Sequence, residues 1–128
     1  MKVTIKYIKC GENKEHHSFF EKFIKFLNKK IPLKDDLKIE FLGERVGGMT
    51  TGSRLPNYIK VLTKNRMNRD ICRTLAHEWV HEYQIGILKR PLGPNIGGQN
   101  EDEANSLAGQ LIKMFEEEYP HLEETMYE

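Results

Sequence analysis

The chain has 128 residues, enough for one hydrophobic core and too few for two, so we expect a single domain over residues 1–128. Its 38% of hydrophobic residues excludes a wholly disordered chain, and the lack of any long apolar run excludes a membrane-spanning protein. The formal net charge is only +1, but it is unevenly distributed along the sequence.

The first part of the chain is basic and the rest is acidic. Residues 1–75 carry 17 Lys and Arg against 8 Asp and Glu, whereas residues 76–128 carry 3 against 11. A basic half can indicate a nucleic-acid surface, but the lysines within residues 22–30 fall on what would be the water-facing side of a helix. We therefore favour a solvated face and expect neither nucleic acid nor a membrane as partner.

The N-terminus and the cysteines bear on the compartment. Residues 1–6 alternate like a strand and lack the apolar core of a secretory signal. Cys10 and Cys72 are far apart in sequence and suggest no disulfide framework, and Cys72 is expected to be a buried small hydrophobe. The simplest expectation is a cytoplasmic protein.

Alternating apolar residues predict strands at residues 3–9, 37–41 and 58–62. The glycine-rich residues 43–54 lack the Gly-Lys-Ser/Thr of a phosphate-binding loop, so they predict a hairpin or a flexible rim. These elements indicate an α+β fold with a small mixed or antiparallel sheet of about three to four strands.

A first helix is predicted at residues 16–30, because its apolar residues recur at helical spacing, and Pro32 ends it. Its start has two alternatives, a capping box formed by Ser18 and Glu21 or an earlier cap at Asn13. The two adjacent histidines near this start diverge in direction on a helix, so we expect no functional site from them.

Two more helices are predicted, one from about position 68 or 70 to Gly86 and one over residues 100–118. A turn-rich loop at residues 91–98 separates them. The sheet is expected to pack against the N-terminal helix and the first of these two helices.

The helix that ends at Gly86 carries the letters HEWVH. His77 and His81 lie one turn apart and point the same way, opposite an apolar face. Two imidazoles at this spacing can hold a zinc ion, and Glu78 beside them can activate a metal-bound water.

A catalytic zinc needs a third protein ligand and an open position. The metzincin pattern is excluded, because Gln84 and Ile87 stand where it needs Gly and His. Of the acidic residues that open the next helix, Glu101 points nearest to that helix's predicted buried stripe. Stabilisation of a helix N-terminus would explain Glu101 alone, but with the motif upstream we predict it as the third ligand, with Glu103 in reserve.

The letters HEWVH, followed by EDEAN at residues 101–105, resemble the gluzincin class of zinc metallopeptidases. The pattern of that class is H-E-x-x-H and then E-x-x-A followed by an acidic or amide residue. Two small branches come closest, the ImmA/IrrE-like peptidases and the minimal gluzincins of little over a hundred residues. The resemblance covers about residues 70–115 and implies a zincin-like domain.

The resemblance also implies a zinc-dependent endopeptidase that acts on peptide or protein substrates. Zn²⁺ would be held by His77, His81 and Glu101, with Glu78 as the general base. Asn105, one turn after Glu101, can support a ligand from behind.

Two parts of the mechanism stay open. The strand at residues 58–62, if it borders the cleft, would bind an extended substrate by strand addition. The group that stabilises the transition state is not identified, and the candidates are Arg54, Tyr58, Tyr83 and Tyr119.

Two other functions remain as alternatives: a non-catalytic zinc module that acts by binding a partner, and a nucleic-acid-associated protease that uses the basic half. The C-terminal residues 119–128 are predicted to be a frayed surface end. Resemblance to minimal gluzincins raises the alternative that this tail occupies the open metal position and inhibits the enzyme.

Overall fold

A computed structural model describes residues 1–47, 49–90 and 98–128 of the protein. Within these ranges the chain forms a single small α+β domain with four α-helices and a mixed sheet of four strands. The predicted fold class is therefore confirmed. Gly48 and most of the turn-rich loop predicted at residues 91–98 lie outside the described residues.

The helices and strands follow the predicted order, with a short strand and a short helix added to it. None of the described helices has the length and hydropathy that crossing a membrane requires. In chain order the elements are β1 (Val3–Ile8), α1 (Lys14–Lys30), β2 (Leu37–Leu42), β3 (Gly52–Leu55), β4 (Tyr58–Leu62), α2 (Asn68–Gly86), α3 (Gln99–Glu118), a 3-10 turn (Pro120–Leu122) and α4 (Glu123–Met126).

The strands lie in the order β1-β2-β4-β3. β1 and β4 both pair with β2 in parallel, and β3 pairs with β4 antiparallel. β3 and β4 form a hairpin whose turn lies at residues 56–57, beyond the glycine-rich residues 43–54 where a hairpin or a flexible rim was predicted, and Asn57 adopts a positive φ of 60° in this turn. Strand β3 escaped prediction because its sequence, GSRL, is short and has no apolar alternation.

The start of α1 follows the earlier of the two predicted alternatives. The Asn13 side chain accepts a hydrogen bond from the backbone N–H of His16 at 3.0 Å, so the helix begins at Lys14. Ser18 and Glu21 lie inside the helix and do not cap it. Phe20 on the buried face stacks on Phe41 of β2, which packs α1 against the sheet.

Helices α2 and α3 pack closely on each other, and α2 also contacts β3 and β4. The apolar face predicted for α2 is buried except at Tyr83, which is half-buried. The indole N–H of Trp79 donates to the carbonyl of Ile31 at 2.8 Å and ties α2 to the end of α1. The stripe of α3 is fully or almost fully buried, at Ala104, Ala108, Leu111, Ile112 and Phe115.

Strand β3 approaches α2 closely at Gly52. A Cβ added to this glycine would lie 2.6 Å from Cγ2 of Thr74 and 3.7 Å from Cγ of Glu78. Glycine thus permits the contact between the edge of the sheet and the motif helix. The prediction of strand addition at β4 is wrong, because β4 is paired on both sides, by β2 and β3. Within the described residues the free edge next to α2 belongs to β3.

The C-terminal tail is packed rather than frayed. Thr125 and Met126 are buried, and the side-chain amide of Asn68 donates to the carbonyl of Thr125 at 2.9 Å. The backbone N–H of Asn68 donates to the carbonyl of Glu128 at 3.0 Å. The prediction of a frayed end is therefore wrong, and the tail lies at the start of α2, a position different from the one that self-inhibition requires.

Candidate metal centre

The motif histidines converge because α2 is regular through the motif. His77 and His81 are four residues apart on its partly exposed side, and their Nε2 atoms are 3.0 Å apart. The apolar residues on the opposite side of α2 are buried in the core. Burial of that face fixes the rotation of the helix and keeps both imidazoles on its partly exposed side.

The first turn of α3 brings Glu101 to the histidines. Its Oε1 lies 2.9 Å from Nε2 of His81, and its Oε2 lies 3.2 Å from Nε2 of His77. The carboxylate therefore spans both imidazoles, in agreement with the inward direction predicted for Glu101 from its position on the helix. Among the described residues these three form the one group of His, Cys, Asp or Glu whose geometry could hold a metal ion.

The donor set fits a zinc ion. Tetrahedral zinc with ligands at about 2.0–2.1 Å needs neighbouring donor atoms about 3.3 Å apart. The separations among the three side chains run from 2.9 to 3.2 Å, so a small expansion admits the ion. Two imidazoles and one carboxylate are also the ligand types that catalytic zinc takes in proteins. Binding of the ion itself stays a prediction.

A buried amide fixes which nitrogen of His81 is available. Nε2 of Gln84 donates to the carbonyl of Asn100 at 3.1 Å and to Oε1 of Glu103 at 3.0 Å. Because both partners are acceptors, the NH₂ group must face them and Oε1 of Gln84 must face His81. Nδ1 of His81 therefore donates to that oxygen, at 2.9 Å, and Nε2 keeps a lone pair for a metal.

The reserve ligand Glu103 has a different place. Its carboxylate accepts from Nη1 of Arg90 at 2.8 Å as well as from Gln84. Hydrogen bonds from Gln84 and Arg90 lower the pKa of Glu103 below its ordinary value. Glu103 thus holds the amide behind His81 and does not join the histidine cluster.

The electrostatics favour the metal-binding form of His77. Burial lowers the pKa of His77, and the nearby His81 lowers it further. Glu101 and a hydrogen bond with Asn105 oppose this shift. A lowered pKa keeps the imidazole neutral, which is the form that binds metals. Asn105 also lines the cleft beside His77, where the sequence predicted a supporting residue.

Glu78 lies in the same cleft and is largely desolvated. Burial raises the pKa of Glu78 above its ordinary value, while His81 and the positive charge of Arg54 oppose the shift. A raised pKa lies closer to neutral pH, where a carboxylate can accept a proton and release it again during a reaction. Its position next to the histidines is what the predicted role as general base requires.

The cleft has a volume of about 500 Å³ and runs along the exposed side of α2 between Thr51, which precedes β3, and the start of α3. Two arginines that the sequence did not single out, Arg66 and Arg73, lie in its wall. The full lining is Thr51, Arg66, Asp70, Arg73, Thr74, His77, Glu78, Glu101 and Asn105.

None of the four predicted stabilisers of the transition state is in this lining within the described residues. Nε of Arg54 donates to Oε1 of Glu82 at 3.0 Å, which binds β3 to α2. The hydroxyl of Tyr58 donates to Glu40 across the sheet. Glu82 was missed because its burial depends on the β3–β4 hairpin, which no helix pattern reveals.

His16, His17 and the two cysteines have structural surroundings. His16 contacts Glu128 at 3.1 Å, and the ring of His17 stacks on Tyr7 with centroids 3.6 Å apart. Cys72 is a fully buried free thiol, as predicted, and Cys10 donates from its thiol to the carbonyl of Phe41 at 3.0 Å.

No family model matches the chain, and no curated protein or solved structure is significantly similar to it. The resemblance to gluzincins therefore rests on the two motifs in the sequence and stays a prediction.

Proposed function

We propose that the protein is a zinc-dependent peptidase. The observation that carries the proposal is the convergence of His77, His81 and Glu101, within 3.2 Å of one another, beside a desolvated Glu78. Three protein ligands leave a tetrahedral ion one open position, which is the arrangement of catalytic rather than structural zinc sites.

The chemistry divides between the ion and Glu78. When bound, zinc supplies a Lewis acid that polarises the scissile carbonyl and makes a water acidic near neutral pH. Glu78 accepts the proton of the attacking water and passes it to the nitrogen of the leaving amine. The positive charge of Arg54 opposes the rise that burial causes in the pKa of Glu78, which favours the ionised carboxylate that a base requires.

Substrate orientation is assigned to β3. Its free edge carries backbone donors and acceptors, and Thr51, the residue before it, lines the cleft. An extended peptide that pairs with this edge would pass along α2 in front of the histidines. The anchor between Arg54 and Glu82 holds this edge in place.

The test is cleavage of a broad library of quenched fluorescent peptides by protein whose zinc content has been measured. We expect cleavage that a chelator abolishes and that added zinc restores. If the zinc-loaded protein cleaves no member of the library, the peptidase proposal fails and a non-catalytic zinc module accounts for the site. If the purified protein takes up no zinc, both interpretations fail.

A further inference from the structure

The cleft beside the metal cluster has a basic end. Arg73 lies four residues before His77 on α2, so the two side chains emerge on the same face about 6 Å apart along the helix axis. Arg66 precedes α2 and lines the same wall. An extended peptide in front of the histidines would reach this end within about two residues, at roughly 3.3 Å per residue.

Arg66 is held in place by neutral groups. Its guanidinium donates to acceptors that carry no charge, so its own positive charge is not neutralised by an ion pair with a described carboxylate. These acceptors are the carbonyls of Leu62 (2.8 Å), Thr51 (3.5 Å) and Asp70 (2.9 Å) and the hydroxyl of Thr74 (2.6 Å).

Arg73 has donors to offer a ligand. Its side chain is exposed at the cleft, and its guanidinium forms no hydrogen bond or ion pair within the described part of the chain. Asp70 offsets part of the positive charge at this end. Glu78 and Glu101 lie at the other end, where a divalent ion would balance them.

We propose that the basic end binds a carboxylate of the substrate, through the free donors of Arg73 and the fixed charge of Arg66. The inference rests on the proposed peptidase function and names its substrate class. The substrate is a peptide with an acidic group within about two residues of the scissile bond, because an extended peptide advances roughly 3.3 Å per residue. The carboxylate is either an Asp or Glu side chain or the free C-terminus, because both present the same oxygens to a guanidinium.

Binding can be measured without turnover in zinc-loaded protein carrying Glu78→Gln. The probes are fluorescent, amidated octapeptides of Ala, Ser and Tyr with one Glu at each position in turn, each paired with a Gln twin. In a further experiment, an octapeptide of Ala, Ser and Tyr without Glu is compared in two forms, one with a free C-terminus and one with an amidated C-terminus. We expect at least one Glu peptide, or the free acid, to bind about fivefold more tightly than its twin, the size expected for one partly exposed charge pair.

Arg73→Ala should remove that preference. Arg73→Glu should reverse it, so that a peptide with Lys in place of the Glu binds more tightly than the Glu peptide. Lys64→Ala is the matched control, because Lys64 is exposed and outside the cleft lining, and it should leave the preference unchanged. Equal affinity for every twin, a preference that survives Arg73→Ala, or no binding of any peptide would overturn the inference.

The two proposals fail separately. If the unmodified protein cleaves neutral and acidic peptides equally well, the peptidase proposal stands and the carboxylate site is rejected. If acidic peptides bind in an Arg73-dependent manner but nothing is cleaved, the carboxylate site stands and the peptidase proposal is rejected.

Discussion

The protein has two histidine pairs, and their spacing separates them. His77 and His81 are one helical turn apart, so their Nε2 atoms meet at 3.0 Å and Glu101 joins them. His16 and His17 are adjacent on α1, so they diverge, one towards Glu128 and the other onto the ring of Tyr7. The distance between two histidines along a helix thus decides whether they can share an ion.

The largest expected effect is on kcat, and it should distinguish Glu78, which follows His77, from Glu15, which precedes His16. Glu78→Gln should lower kcat for peptide cleavage roughly a thousandfold, because the amide cannot accept the water's proton. Zinc content should stay unchanged. Glu15→Gln beside the other pair is the control and should leave kcat as it is. Equal kcat for both variants would remove Glu78 from the mechanism.

Loss of a ligand should be visible in zinc affinity. We expect His77→Ala and Glu101→Ala each to weaken zinc binding by at least about a hundredfold, more than the loss of a supporting hydrogen bond causes. Competition against a chromophoric chelator measures the change. His16→Ala serves as the matched histidine variant, and weaker zinc binding in that variant would contradict the assignment.

The tail region should respond in stability and not in zinc binding. Met126 is 1% exposed, so Met126→Ala should lower the free energy of unfolding by about 2 to 3 kcal/mol through the cavity it leaves. Urea denaturation measures this loss. The folded variant should bind zinc normally and show no rise in peptidase activity, whereas a rise would revive self-inhibition by the tail.

The amide behind His81 should have a smaller effect. Gln84→Ala removes the acceptor for Nδ1, and we expect zinc affinity to fall about tenfold. Gln110→Ala, an exposed glutamine on α3, is the control. An unchanged affinity in Gln84→Ala would show that the imidazole needs no orienting partner.

The smallest effect is expected at the exposed contact between His16 and Glu128. His16→Ala should change the free energy of unfolding by less than about 1 kcal/mol, since both side chains are partly exposed to water. Thermal denaturation with and without added zinc compares this variant with His77→Ala. A large destabilisation would mean that the pair His16 and His17 has a structural role which the exposure of His16 does not indicate.

Periodicity predicted the parts that depend on a single helix. The buried stripe of α3 and the inward direction of Glu101 followed from the 3.6-residue repeat of an α-helix, and the bounds of α2 followed from its start residues and from Gly86 at its end. The convergence of the three predicted ligands depends on these two helices and could therefore be anticipated.

Other parts depend on contacts between distant segments. The short strand β3 has no apolar alternation and becomes a strand only by pairing with β4. Burial of Met126 requires α4 to dock on α1 and α2. Gln84 looks like any surface amide in the sequence, and its role appears only when Asn100 and Glu103 approach it. No pattern in the local sequence indicates these contacts between distant segments.

Zinc in the cluster is the central claim, and anomalous diffraction at the zinc absorption edge tests it most directly. Crystals of the full chain grown with zinc should give a single strong peak within about 2.0–2.2 Å of His77 Nε2, His81 Nε2 and a carboxylate oxygen of Glu101. The absence of a peak there, or a stronger peak between His16 and Glu128, would contradict the account.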